Sequence, residues 1–79
     1  MYRQYPVLAE VPPGGRVKVM RLGGGRPLWG HMLEMGLIPG ALVTVESVAP
    51  QEGMEITVKG SRFRLPLQEA AHVFVRTTG

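Results

Sequence analysis

Hydrophobic and polar residues alternate along most of this 79-residue chain, and the period of the alternation changes once. In residues 16–22, Val17 and Val19 share one side while Arg16, Lys18 and Met20 share the other. That two-residue repeat predicts a strand with one buried face. Residues 42–48 repeat it, with Val43 and Val45 against Thr44 and Glu46. Residues 55–59 set Ile56 and Val58 against Glu55, Thr57 and Lys59; residues 62–65 answer with Phe63 and Leu65 inward, Arg62 and Arg64 outward. Gly60-Ser61 between them reads as a glycine-first, two-residue hairpin turn. Val73 and Val75 mark a last strand over residues 72–76. Residues 7–11, apolar on both alternating sets, predict a short strand or extended arm before the Pro12–Gly15 turn. Residues 66–71 predict one helical turn opened by Pro66.

The period changes between Pro27 and Gly36. Leu28, Met32 and Met35 recur at helical spacing, and Trp29 and Leu33 form an i, i+4 pair beside them. Pro27 suits the first helical position, where its missing N–H is not needed. Gly36 falls where the helix should end, since glycine takes the left-handed conformation of a helix stop without a Cβ penalty. Leu37 should then fold back onto Met32. Pro39-Gly40 supplies the central residues of a type II turn leading into the next strand.

Short strands separated by Gly/Pro turns, with one inserted helix, predict a mainly β chain wrapped into a closed or nearly closed small barrel, a single domain over residues 1–79. Eleven glycines and seven prolines fit that punctuation. There is no cysteine, so neither a disulfide nor a thiolate metal site can support the fold. No apolar run approaches the ~20 residues of a membrane span, and the N-terminus lacks the apolar core of a secretory signal. A cytoplasmic location is expected. Nine Lys/Arg against six acidic residues leave a net charge of +3, a mild excess that says more about solubility than about partners.

The residues that carry chemistry are sparse. No glutamate pair has the spacing of a general acid and base, and no Ser or Thr has a nearby His in a nucleophilic arrangement. His31 and Glu34 lie three apart and can share a helix face, but two ligands fall short of a metal site. Met32, Met35 and Met54 are read as core filling rather than soft ligands. Gly23-Gly24-Gly25 matches neither phosphate-loop pattern. Arg62 with Arg64, and Arg16 with Lys18, form basic strand faces that raise an RNA-binding reading. The aromatic platform for it is thin, because Phe63 points inward and leaves Phe74, Tyr2 and Tyr5. Trp29 either packs over the barrel or anchors an interface.

Leu33 to Gly40, Leu-Glu-Met-Gly-Leu-Ile-Pro-Gly, resembles the signature of the FeoA family. These are small cytoplasmic proteins linked to bacterial ferrous-iron uptake, and the SH3-like domain ending iron-dependent repressors carries a similar pattern. Residues 11–19 look like the family's opening turn and first barrel strand, and residues 56–65 and 71–75 like its closing strands. Where the family often has basic residues early in the helix, Trp29-Gly30-His31 stand here. The resemblance implies a small SH3-like barrel with one short inserted helix and a C-terminal helical turn, acting as an accessory or regulatory protein and not as an enzyme. Its implied partner is the FeoB-type GTP-binding membrane permease. No cofactor is expected, since Fe²⁺ or another divalent metal finds no ligand cluster, and a homo-oligomer is compatible with the sequence. An RNA-binding barrel of the translation-associated type and a metal-responsive module are the alternatives. Seven large apolar side chains lie within residues 28–38, more than a small barrel covers. The partner surface is therefore expected around Trp29, His31, Glu34 and Leu37.

Overall fold

The computed structural model describes residues 4–78. The alternating segments become β1 (Arg16–Leu22), β2 (Leu42–Ala49), β3 (Gly53–Val58), β4 (Ser61–Leu65) and β5 (Val73–Thr77), with α1 (Arg26–Glu34) after β1 and the short α2 (Leu67–Ala70) before β5. They form one antiparallel sheet in the order β4-β3-β2-β1-β5. Bulges between Val19 and Arg21 on β1, and between Val45 and Ser47 on β2, increase the local twist. The described chain measures 28 × 27 × 25 Å, so the sheet wraps around its inner face rather than lying flat. β4 and β5 end the order without pairing to each other.

The inner face is largely the one the alternation picked out. Val17, Val19, Val43, Val45, Ile56, Val58, Leu65, Val73 and Val75 are all at most 2% exposed, and Leu8, Met32, Leu37 and Met54 fill the space they enclose. β-Branched side chains suit these positions because their stiff χ1 packs well on a pleated surface. Each such side chain taken from water contributes roughly 1.5–3 kcal/mol before conformational entropy is subtracted.

Two local expectations are corrected. Residues 7–11 do not form a strand. Val7 makes a single bridge to Phe74, and the chain then coils into a 3₁₀ turn, Leu8–Glu10. Coiling puts Leu8 fully into the core where the turn meets α2 and β5, and the Glu10 carboxylate accepts the Val7 N–H at 3.0 Å. The arm still protects the edge of β5, since the Pro6 carbonyl accepts the Val75 N–H at 2.9 Å. The β3–β4 hairpin turns at Lys59-Gly60, one residue earlier than expected. Val58 pairs with Ser61, and both Lys59 (φ 52°) and Gly60 (φ 81°) are left-handed, as a type I′ turn requires. The register still buries Ile56, Val58 and Leu65 together. Of the residues read as an aromatic platform, Tyr2 lies outside the described residues.

The helix ends as its sequence predicts. Gly36 has φ 87°, its N–H donates to the Leu33 carbonyl at 3.0 Å, and the Leu37 N–H donates to the Met32 carbonyl at 3.0 Å. These are the two bonds of a Schellman cap, and Met32 and Leu37 are buried together beneath it. The Ala41 N–H closes the Pro39-Gly40 turn onto the Ile38 carbonyl at 2.9 Å, with Gly40 at φ 94°. α1 opens one residue earlier than expected, placing Pro27 in its first turn.

Two alanine substitutions in this helix should act in opposite directions. At Gly36 a Cβ finds ordinary space, 3.5 Å from Val58 Cγ1, but the left-handed backbone disfavours it. Gly36→Ala should therefore destabilise by about 1 kcal/mol and lower the thermal midpoint by several degrees. Gly30 lies in the exposed helix interior with nothing within 4 Å of an added Cβ. Gly30→Ala should stabilise by about 0.5–1 kcal/mol. Thermal melts of the two variants beside the parent check both signs.

Candidate docking surface

α1 divides its side chains between the core and a groove. Met32 is fully buried and Leu28 packs against the core, whereas Trp29 and Leu33 share the neighbouring flank. Trp29 is half-buried, and its Nε1–H donates to the Gly23 carbonyl at 3.1 Å, which fixes the indole against the end of β1. The helix exit brings up the opposite wall. The Gly40 N–H donates to the Val19 carbonyl at 2.7 Å and the Val19 N–H donates to the Ala41 carbonyl at 2.9 Å, so Pro39 is pinned beside β1. Arg21, Leu22, Trp29, Leu33 and Pro39 line the resulting groove, whose volume is about 230 Å³. Leu33 is 45% exposed and Ile38, next to Pro39, 42%; among the described residues Leu42, opposite Lys18, is the most exposed large apolar side chain at 64%.

The surface expected from the sequence is only partly assembled. Trp29 lines the groove, but the other three expected residues do not join it. Leu37 is fully buried, because the Schellman cap turns it inward, so it is not at the surface. His31 lies on the far flank of α1, where its Nδ1 stands 2.7 Å from Glu69 Oε1 of α2. A carboxylate only accepts, so Nδ1 carries the proton in this pair. Glu34 is exposed and makes no hydrogen bond or ion pair among the described residues; His31 pairs with Glu69 instead. Leu33, Ile38, Pro39 and Arg21 were missed as surface residues. The signal for Arg21 lies in the strand pattern: it has the same parity as Val17 and Val19, and a charge at an inward position marks the bulge that turns it out.

Arg21 sits over the Phe74 ring, its guanidinium carbon 4.1 Å from the centroid. The basic strand faces are less bare than they read. Arg64 donates to Glu52 at 2.9 Å and lies 3.5 Å from Glu55, while Glu46 accepts from Thr57 at 2.7 Å. With Phe74 covered by Arg21, little aromatic face remains for stacking bases.

A wrapped five-strand antiparallel sheet with one inserted helix defines the SH3-like class of small β proteins, and its candidate site is a non-catalytic apolar groove. The model of the FeoA domain matches residues 7–77, and the chain belongs to the FeoA family, small accessory proteins associated with ferrous-iron transport. Solved structures agree. The crystal structure of an iron uptake regulatory protein, FeoA, is 31% identical, covers 94% of this chain and 97% of its own, and superposes with a TM-score of 0.84. Stenotrophomonas maltophilia FeoA complexed with zinc is 24% identical over 89% of this chain and 88% of its own, with a TM-score of 0.77. T. acidophilum IdeR shares the fold at 19% identity and a TM-score of 0.83, with this chain spanning 98% of itself but 36% of the repressor. No curated protein matches the chain.

Among the described residues, no three His, Cys, Asp or Glu side chains gather in a group able to hold a metal ion. His31 and Glu69 alone supply two ligand atoms, and those are bonded to each other. Calorimetric titration of the monomer with Zn²⁺ or Fe²⁺ should accordingly show no stoichiometric sub-micromolar site. Such a site, lost in His31→Ala, would be the contrary result.

Proposed function

We propose that this chain is a cytoplasmic accessory protein of bacterial ferrous-iron uptake, one FeoA-like module that docks through the α1 groove on the FeoB-type GTP-binding membrane permease. The observation that carries the reading is the apolar surface left open on the helix and its exit: Trp29, Leu33, Ile38 and Pro39 together, two of them more than two-fifths exposed. Apolar side chains clustered around a fixed tryptophan are the composition of an interface core rather than of a solvated face. Family membership supplies the uptake system. Among the described residues no helix is long and apolar enough to cross a membrane.

Binding to the purified cytoplasmic domain of a FeoB-type permease tests the reading. Leu33→Asp changes a side chain already 45% exposed, so folding should survive while binding falls about tenfold or more. Trp29→Ala should weaken binding as well, with its melting temperature measured beside it, because the indole also packs on the core. Arg62→Ala, on β4, should bind as the parent does. Loss confined to Arg62→Ala, with steep salt dependence, would place the site on the basic strand face and favour RNA.

A further inference from the structure

Resting on the docking surface proposed above, we infer the chemistry of what enters the groove: a polypeptide segment of the partner in which a large apolar side chain stands beside a carboxylate, with Arg21 reading the carboxylate. The walls set the first half of that description. Leu22, Trp29, Leu33 and Pro39 offer almost no polar surface, and about 230 Å³ admits one large side chain rather than a helix face. The indole is held by the Gly23 carbonyl and Pro39 by the turn stitched to Val19, so these two walls are in place before anything binds. Preformed walls reduce the ordering penalty of association.

Arg21 sets the second half. Among the described residues it is the one charged side chain lining the groove. Its guanidinium is stacked over Phe74, which restrains a long side chain that would otherwise lose rotamer freedom on binding. Among the described residues no carboxylate and no other acceptor takes its N–H groups, whereas Arg64 has two glutamates. Arg21 lines the groove with its apolar stem, and its planar fork of donors, held over Phe74 and without an acceptor among the described residues, complements a carboxylate and repels a cation.

The experiment selects ligands without presupposing the partner. A random heptapeptide display library is panned against the purified full chain and against its Arg21→Glu and Arg76→Gln variants. Representative winners are then synthesised and titrated while the emission of Trp29, the sole tryptophan, is recorded. The parent and Arg76→Gln should select Leu, Phe or Trp within two positions of Asp or Glu, and the winners should shift Trp29 emission to the blue. Arg21→Glu should bind those peptides about tenfold more weakly and should select the same apolar residues with Lys or Arg beside them. Selection without acidic residues, no selection at all, or peptides that leave Trp29 unchanged would overturn the inference. So would burial of Trp29 by self-association on raising the protein concentration alone. If the permease domain binds but no acidic preference emerges, docking stands and the role of Arg21 falls. If the peptides behave as stated and the permease domain does not bind, the groove chemistry stands and its assigned partner falls.

Discussion

The hydrogen bond from the Leu37 N–H to the Met32 carbonyl is the constraint on which the rest of the molecule depends. It forms only if Gly36 turns left-handed, and it sends the chain back across the end of α1 instead of onward. Leu37 then drops beside Met32 into the space inside the sheet. Three residues later the Pro39-Gly40 turn delivers the backbone to β1, where Val19 bonds to both Gly40 and Ala41. The sheet therefore receives β2 at the register Val17↔Val43 because the helix ended where it did. A helix one turn longer would carry Leu37 to the outside and detach the turn from β1.

The same constraint makes the groove. Bending back at Gly36 leaves Leu33 and Ile38 on either side of the reversal, both exposed, while Met35 and Leu37 between them turn in. The bulge in β1 acts in concert. Without it Arg21 would point into the barrel alongside Val17 and Val19, where an unpaired guanidinium is untenable. With it Arg21 lies outside, over Phe74, and contributes to the groove wall. A surface feature thus arises from two devices that the core itself requires: a helix stop and a bend in a strand that must wrap.

What could be read from the sequence, and what could not, divides along physical lines. The strands and the helix stop were legible because they rest on local rules: a two-residue period, a glycine at a left-handed position, a proline beside it. The hairpin turn was displaced by one residue because Lys59 adopts a left-handed conformation that few non-glycine residues take, and local preference pointed to Gly60-Ser61. The stretch at 7–11 is apolar at nearly every position, so periodicity could not separate an extended arm from a turn that buries Leu8. The site was less legible than the fold. Counting apolar residues on α1 pointed to the flank where the groove lies, and to Trp29 in its wall. The pairing of His31 with Glu69, 38 residues away, and the burial of Leu37 depend on tertiary placement that no local pattern encodes.

Trp29 apart, which serves both, fold and groove nevertheless draw on different side chains in and just beyond one short helix. Met32 and Met35, with Leu37 just beyond, hold the helix to the sheet, and each is at most 6% exposed. Leu33 and Ile38 contribute less to that core and more to the surface. Interleaving the two sets along the chain follows from helical period within α1, where Met32 and Leu33 lie on neighbouring faces, and from the Schellman reversal beyond it, which turns Leu37 in and leaves Ile38 out. The flank can therefore change its chemistry while the positions that end the helix and close the barrel stay as they are. A small barrel with few polar groups to deploy in catalysis keeps, at Leu33 and Ile38, apolar surface that its own core does not require.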